Sequence, residues 1–419
     1  MKVLVVGGGG REHAIIHKLK SSTRISALYC APGNGGISLE AQCVPIGATD
    51  IDGMIAFAKS EGIELVVVAP DDPLAIGMVD ALEAAGIRAF GPHKNAAIIE
   101  ASKSFSKDLM KKYNIPTAGS QTFDDYDAAL AYIREKGAPI VVKADGLALG
   151  KGVVVALQLE EAENALIDIM KDKKFGASGA RVVIEDFMSG PEVSVLCFTD
   201  GETVIPMLSA QDHKRVFDDN LGPNTGGMGA FCPSPRFTAE HFDFCMKNIF
   251  IPTVDAMNAE GREFRGVLYF GLMLTDDGPR VVEYNARFGD PEAQPILSML
   301  ETDLLDIFEA IIDGNLKKID ITWKSGYSCG VVLCSGGYPE KYETGYEISG
   351  LNDIKDDIFV YHSGTTADNG VVKTAGGRVL CVTATGGTLA EAAKNAYSAA
   401  EKIQFTNLHM RTDIGAGLI

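Results

Sequence analysis

The cysteines of this chain lack the spacing of a disulfide framework or a zinc site. There are 8 among 419 residues, none in a CxxC pair, and the closest two in sequence are Cys329 and Cys334. Disulfide-rich domains and zinc sites bring several cysteines close together in sequence. The scattered cysteines therefore favour reduced thiols in a cytosol over either alternative.

Positive charge and long apolar runs are also scarce. The formal net charge is −18, whereas nucleic-acid-binding proteins present a basic surface. There is no apolar run of about 18 residues, the length of a membrane-spanning helix. The apolar start Met1–Val6 gives way to glycine too early for a signal peptide. We therefore expect a cytoplasmic protein that binds neither nucleic acid nor membrane; its oligomeric state stays open, a monomer included.

The order of strand and helix patterns predicts several domains. The chain has 419 residues, enough for about two to four domains, and 46% of them are hydrophobic, as is ordinary for a globular protein. Strands alternate with helices over residues 1–101, including a helix near 75–85, which predicts a parallel α/β domain. The rhythm changes over 102–323, where a small β/α lid is predicted at about 122–188. A C-terminal β/α domain is predicted over 324–419.

A glycine loop, Gly7–Gly10, follows the first predicted strand and precedes a helix. Free main-chain N–H groups at the start of a helix bind anions. A dinucleotide fingerprint would need a third glycine where Glu12 and His13 stand, and an acidic residue after the second strand, which ends in Ala31-Pro32-Gly33. The loop therefore predicts a phosphate or small-metabolite site, with a purely structural tight turn as the alternative.

His13 and His17 lie four residues apart on the helix that follows, so they could share one face and bind a metal ion. The sequence offers no third ligand beside them. Helix packing is therefore the favoured interpretation.

A second glycine-rich segment, Lys143–Gly152, lies between two predicted strands. A Walker loop would need a glycine at Asp145, a Ser or Thr at Gly152 and then a helix. Instead, the β-branched run Val153–Ala156 predicts a strand. We interpret the segment as a hairpin turn whose N–H groups and lysines can fold over phosphates, with an ordinary glycine hairpin as the alternative.

Two further regions carry polar side chains. The strand Val182–Glu185 leads through a linker to Glu192, where an adenine could lie against the linker and an acid could hold ribose hydroxyls. A strand followed by an ordinary turn is the more common interpretation of such a pattern. The segments Gln211–Arg215 and Gly222–Gly229 are too polar and glycine-rich for a core, and their cations could neutralise a phosphate or carboxylate. A disordered surface loop is the alternative.

The run Arg280–Glu292 is the most informative. Its β-branched and aromatic first half favours a strand, and side chains alternate along a strand, so Glu283 and Asn285 share a face. Carboxylate and amide oxygens suit Mg²⁺, and Arg287 stands just beyond them for a developing anion. The run predicts a magnesium–nucleotide site, with a solvated strand edge as the alternative.

Together these segments resemble the ATP-grasp superfamily, and within it the glycinamide ribonucleotide synthetases, over the whole chain. The segments 211–229 and Arg287–Glu292 are the most specific part of the resemblance. It implies an α/β fold, α+β in parts, in which an N-terminal parallel-sheet domain, a small lid and a C-terminal β/α domain surround the ATP-grasp core. It also implies a ligase that joins glycine to 5-phosphoribosylamine in de novo purine (IMP) biosynthesis, by way of a glycyl phosphate.

The resemblance further implies the ligands and the residues that hold them. ATP is the co-substrate, with Mg²⁺ or Mn²⁺ on Glu283 and Asn285. The implied catalytic residues are Asp212, Lys214 and Arg287. The implied ATP-binding residues are Lys103, Lys143, Gly150, Lys151, Glu185, Phe187 and Glu192. The implied substrate-binding residues are Gly10, Arg11, Glu12, Asn224, Thr225, Gly289 and Asp290.

Two positions depart from common ATP-grasp patterns. Tyr269–Leu272, where many of these enzymes carry a further metal ligand, contains no acid, and Asp71 stands where Glu is usual. Another ATP-grasp ligase, such as a purine-pathway carboxylase, would share the lid but lack the 211–229 segments. A nicotinamide oxidoreductase is a rival from another class, and the missing acid that would hold the ribose argues against it. A non-catalytic nucleotide-binding module is a further rival, and the retained pair Glu283 and Asn285 argues against that one.

Overall fold

The first part of the chain forms a parallel sheet with helices on both faces. The computed structural model of the protein describes residues 1–147, 152–355 and 357–418. The first elements are β1 Lys2–Gly7, α1 Gly10–Lys20, β2 Ala27–Pro32, β3 Gln42–Cys43, α2 Ile51–Glu61, β4 Leu65–Val68, α3 Asp71–Ile76, α4 Met78–Ala84, β5 Arg88–Phe90 and α5 Lys94–Ala101. The strands pair in the order β3-β2-β1-β4-β5. Val3–Val6 are fully buried, as expected for a parallel strand covered on both faces.

The helix predicted near residues 75–85 is instead two helices, α3 and α4. Gly77 separates them with a φ of 94°, in the left-handed region that ends helices. The periodic apolar pattern continues through this break because both helices bury residues in the same core.

A second sheet, called the lid sheet, follows. Its elements, with the helix that precedes them, are α6 Lys103–Lys112, β6 Ser120–Phe123, α7 Tyr126–Lys136, β7 Ile140–Ala144, β8 Val153–Ala156, α8 Leu159–Leu166 and β9 Val182–Asp186. The strand order is β6-β9-β7-β8. β7 and β8 pair antiparallel, with Lys143 opposite Val153, so the predicted hairpin is confirmed and a Walker loop is excluded.

A third sheet, the central sheet, has the order β11-β10-β16-β17. The elements of this part of the chain are β10 Glu192–Asp200, β11 Val204–Pro206, β12 Gln211–Asp212, β13 Arg215–Phe217, β14 Leu221–Asn224, β15 Gly229–Cys232, α9 Ala239–Cys245, α10 Ile251–Ala259, β16 Arg265–Thr275, β17 Gly278–Asn285, α11 Ala293–Met299 and α12 Leu304–Ile312. Strand β17 is the one predicted from the Arg280–Glu292 run. The polar segments between 211 and 229 form short paired strands rather than a disordered surface loop.

The last sheet combines the end of the chain with two earlier strands. The elements of the end of the chain are β18 Tyr327–Ser335, β19 Phe359–His362, β20 Thr365–Asp368, β21 Val371–Thr374, β22 Arg378–Gly386, α13 Leu389–Ala400 and β23 Leu408–His409, of which β20 and β21 pair with each other as a separate two-stranded sheet. The order of the last sheet is β12-β15-β18-β22-β19. Since β12 and β15 belong to this sheet, the polar segments are held by the C-terminal part of the chain.

The first sheet and the central sheet share one continuous apolar core. One apolar cluster joins Leu4 and Val6 of β1 to Phe270 and Tyr284 of the central sheet. The lid sheet has its own smaller cluster, which includes Ile140. The mixed α/β fold class predicted from the sequence is confirmed. Within the described residues, no helix is long and apolar enough to span a membrane.

Candidate active site

A buried group of opposite charges joins the lid sheet to the central sheet. Glu185 on β9 forms ion pairs with Lys143 on β7 at 2.8 Å and with Lys107 on α6 at 2.9 Å. Lys143 Nζ also donates a hydrogen bond to the carbonyl of Val282 on β17 at 3.1 Å. Burial raises the pKa of Glu185, but the two ammonium groups outweigh burial and hold the pKa below its usual value. Lys143 is therefore buried at the junction of the two sheets.

Lys103 fixes the base of the β7–β8 hairpin. Its main-chain N–H donates to Asp145 O at 2.9 Å, and its Nζ donates to Gly146 O at 3.0 Å. Burial lowers the pKa of Lys103 although Glu283 opposes that shift. The predicted ATP-binding residues Gly150 and Lys151 lie outside the described residues. In the linker after β9, Phe187 is 39% exposed.

Glu283 and Asn285 project from the same stretch of β17, as predicted. Their partners across the ladder on β16 are Gly271 and Tyr269, so the neighbouring strand supplies no acid. Burial raises the pKa of Glu283, but Lys214 and other nearby cations outweigh it and keep the carboxyl ionised. An ionised carboxylate beside an amide oxygen fits Mg²⁺, which prefers oxygen ligands.

Asp212 ends β12, and Lys214 lies on the short segment between β12 and β13. Lys214 pairs with Glu192 of β10, the acid predicted to hold ribose, and these side chains are 36% and 42% exposed. The carbonyl of Lys214 accepts hydrogen bonds from the N–H and hydroxyl of Thr225 at 2.7 and 2.8 Å. Burial, helped by nearby carboxylates, raises the pKa of Asp212 to about 7 although Lys214 opposes the shift.

Arg287 is held by partners from two parts of the fold. Its Nη2 lies 2.8 Å from Glu100 Oε1 and 3.1 Å from Asn285 Oδ1, and its Nη1 donates to Phe288 O at 3.2 Å. Its Nε is buried and has no hydrogen-bond partner among the described residues. The Nε of this guanidinium is thus a buried donor whose hydrogen bond is unsatisfied within the described part of the chain.

The side chains of Arg11 and Glu12, at the start of α1, brace the glycine loop. Arg11 Nε pairs with Glu12 Oε1 at 2.6 Å, and Arg11 Nη1 donates to Phe288 O at 3.3 Å. Both side chains are buried. A Cβ on Gly10 would lie 2.5 Å from Gln294 Nε2, so α11 packs directly against the start of α1. Arg11 and Glu12 shape the loop and connect it to the segment after β17.

His13 and His17 pack as the favoured interpretation predicted. His13 Nδ1 accepts the N–H of His362 at 2.8 Å, and His17 Nδ1 lies 3.0 Å from Glu40 Oε1. Each ring therefore has its own partner, and the packing interpretation is confirmed.

Asp290 lies between the glycine loop and the C-terminal sheet. Its Oδ1 accepts from Gln294 Nε2 at 2.9 Å, and its Oδ2 lies 3.3 Å from Arg378 Nη2. The same oxygen lies 3.5 Å from the position of a Cβ on Gly9. Burial raises the pKa of Asp290, but Arg378 and Arg11 outweigh burial and hold it below the usual value.

Asn224, Thr225 and Gly289 complete the set of predicted residues. Asn224 ends β14 opposite Arg215, and Thr225 Oγ1 accepts the N–H of Gly227 at 2.9 Å. A Cβ on Gly289 would lie 2.4 Å from Glu292 Oε2, so Gly289 packs closely against the Glu292 side chain.

Three charged residues of this region were not predicted: Lys107, Glu100 and Arg378. The sequence could have indicated Lys107, because it lies four residues after Lys103 and therefore on the same face of the helix. Glu100 and Arg378 reach Arg287 and Asp290 from distant parts of the sequence, so no local pattern could identify them.

Comparison with known proteins identifies the family. Sequence models of the phosphoribosylglycinamide synthetase N domain, ATP-grasp (A) domain and C domain match residues 1–100, 101–293 and 328–417. The chain belongs to the phosphoribosylglycinamide synthetase family. This confirms the resemblance inferred from the sequence.

Individual relatives agree with this family over the full length. A phosphoribosylamine–glycine ligase of Listeria monocytogenes is 51% identical over 418 residues, covering 99% of both chains. The crystal structure of phosphoribosylamine–glycine ligase from Thermotoga maritima has a TM-score of 0.86 and 31% identity, covering 99% of this chain and 100% of that one. A biotin carboxylase–β,γ-ATP complex from Campylobacter jejuni, at 13% identity and a TM-score of 0.75, covers 100% of this chain and 94% of its own and shares the fold.

Proposed function

We propose that this chain joins glycine to 5-phosphoribosylamine, converting ATP to ADP and phosphate and producing glycinamide ribonucleotide for purine biosynthesis. The full-length similarity to phosphoribosylamine–glycine ligases supports the proposal. The structural observation that carries it is the position of Glu283 and Asn285 on one strand face, with Lys143 and Lys214 close enough to keep Glu283 ionised.

The chemistry requires two displacements. The glycine carboxylate attacks the γ-phosphorus of ATP, ADP leaves, and a glycyl phosphate forms. The amine of phosphoribosylamine then attacks the acyl carbon, phosphate leaves with the electrons of the broken C–O bond, and the new amide nitrogen loses a proton. Both steps place negative charge on phosphoryl oxygens, so catalysis rests on positioning and on fixed positive charge.

The cations of the site suit these steps. Lys103 and Lys143 would contact the ATP phosphates from the base of the hairpin. Arg287 and Lys214 would stabilise the acyl phosphate. Asp212, whose pKa is raised to about 7, is suited to accept the proton released when the amide forms.

Glu283 and Asn285 would hold Mg²⁺ or Mn²⁺. When bound there, the ion would neutralise phosphate charge. The two side chains present oxygen donors of the kind that hard divalent cations prefer, and nearby cations keep the Glu283 carboxyl ionised for this purpose.

Ligand-binding roles follow from the same placement. The adenosine would lie near the linker that follows β9, with Glu185, Phe187 and Glu192 as its proposed contacts. Gly150 and Lys151 are the proposed contacts of the phosphates. The acceptor and glycine would lie among Gly10, Arg11, Glu12, Asn224, Thr225, Gly289 and Asp290.

We also propose domain boundaries at 1–101, 102–323 with the lid at about 122–188, and 324–419.

An omission assay tests the proposal. ADP release is measured with glycine, phosphoribosylamine and Mg²⁺ together, and with each left out in turn. We expect ADP only when all are present. Equal ADP release with bicarbonate in place of glycine would overturn the proposal in favour of a carboxylase.

A further inference from the structure

The peptide at Gly226 is held on both sides by the C-terminal part of the chain. The N–H of Gly226 donates to the hydroxyl of Tyr338 at 3.0 Å, and the carbonyl of Gly226 accepts from Arg378 Nη1 at 2.8 Å. Gly226 follows Asn224 and Thr225, and its main chain has found both partners in side chains from beyond residue 323.

The same guanidinium also holds the segment after β17. Arg378 Nη1 donates to Asp290 O at 2.8 Å, and Nη2 pairs with Asp290 Oδ2 at 3.3 Å. One arginine side chain therefore joins Gly226 and Asp290, which lie on separate loops. The planar, multidentate fork of arginine suits this arrangement, whereas a lysine ammonium presents a single point of charge.

The two loops meet with no spare room. A Cβ on Gly226 would lie 3.0 Å from Arg378 Cζ, and a Cβ on Gly227 would lie 2.4 Å from Pro291 Cδ. Packed groups this close transmit small displacements. Loss of the guanidinium would therefore let the 222–229 loop move relative to Asp290.

We propose that Tyr338 and Arg378, here called the C-terminal clamp, are positioning residues that hold the acceptor-binding loops 222–229 and 286–292 in register. The proposal rests on the proposed function, because that function places glycine and phosphoribosylamine between these loops. The clamp gives the C-terminal sheet a direct part in substrate binding, while the ATP phosphates are contacted by residues of the lid and central sheets.

Kinetics of three clamp variants test this assignment. Arg378→Met is expected to lower kcat/KM for glycine and for phosphoribosylamine about 10- to 100-fold, the scale of a lost charge-assisted hydrogen bond. ATP affinity, measured by calorimetry without the other substrates, is expected to stay within about twofold. Arg378→Lys should recover part of the loss and Tyr338→Phe should show a smaller one. The matched control is Arg265→Met, because Arg265 also joins a carboxylate, Glu263, to a main-chain carbonyl, Ile312 O at 2.9 Å.

A second readout is independent of turnover. Amide hydrogen exchange in Arg378→Met should quicken in 222–229 and 286–292 and remain unchanged in the lid sheet. Unchanged exchange in both loops, or a fall in ATP affinity equal to the fall in acceptor kcat/KM, would overturn the proposal. The wild-type omission assay separately decides the proposed function, so failure of the clamp and failure of that function give different results.

Discussion

Arg287 Nη2 lies 2.8 Å from Glu100 Oε1, and this ion pair ties the segment after β17 to helix α5. Glu100 also accepts the N–H of Ala286 at 2.7 Å. Glu100 is buried and the Arg287 side chain is 18% exposed, so removing the carboxylate leaves a largely buried guanidinium without its charged partner. We expect Glu100→Gln to lower turnover about 10- to 100-fold, because Arg287 loses the partner that fixes its guanidinium beside Asn285. The free energy of unfolding should fall by on the order of 3 kcal/mol.

Steady-state kinetics and urea unfolding measure these two effects. Glu309→Gln is the matched control, because Glu309 on α12 pairs with Arg24 at 2.7 Å outside the candidate site. Turnover at the wild-type level in Glu100→Gln would contradict the role given to the Glu100–Arg287 pair.

Glu283→Gln tests the metal assignment. The substitution keeps the shape of the side chain and removes its charge, so Mg²⁺ should bind more weakly. Turnover should fall by about 10²-fold or more, the scale of losing one preorganised electrostatic contact. Asp277→Asn is the control, since Asp277 is 84% exposed in the turn of the same hairpin. Near-normal turnover of Glu283→Gln at saturating Mg²⁺ would count against the assignment.

The stability of the protein should fall in acid because of His13. Burial, with the neighbouring His362, lowers the pKa of His13 to about 3, and its Nδ1 must stay unprotonated to accept the N–H of His362. The unfolded chain binds this proton near pH 6.5, so between pH 6.5 and 3 the unfolded state holds more protons. The contribution of His13 to stability is therefore complete well above pH 6.5 and is lost as pH falls through 6.5 toward 3, by about 2 kcal/mol at pH 5.

Urea unfolding of wild type and His13→Asn between pH 7 and pH 5 measures that loss. Asn can still accept the hydrogen bond and does not titrate, so its pH dependence should be shallower by about 2 kcal/mol. Parallel pH profiles for the two proteins would show that His13 does not carry the effect.

Local pattern predicted the elements of the fold well. The β-branched run Val153–Ala156 correctly predicted a strand after the Lys143–Gly152 segment, and alternation along β17 correctly placed Glu283 and Asn285. The break at Gly77 was missed, because a left-handed glycine can end one helix and begin another without changing the apolar period.

Long-range charge pairing could not be predicted in the same way. The sequence singled out Arg287 and Asp290, but not the partners that hold them, Glu100 and Arg378. Glu100 comes from helix α5 and Arg378 from strand β22, and only the assembled fold brings them within 4 Å of Arg287 and Asp290. Glu185 is a related case: the sequence singled it out, but not the two lysines, Lys107 and Lys143, with which its carboxylate pairs in the fold.

Oxygen transfer from glycine tests the proposed chemistry most directly. Glycine labelled with ¹⁸O in its carboxylate is turned over with ATP and phosphoribosylamine, and the released phosphate is examined by mass spectrometry. A glycyl phosphate places one carboxylate oxygen between carbon and phosphorus, and that oxygen leaves with phosphate when the amine attacks. The account predicts one ¹⁸O in each phosphate formed; phosphate free of ¹⁸O would contradict it.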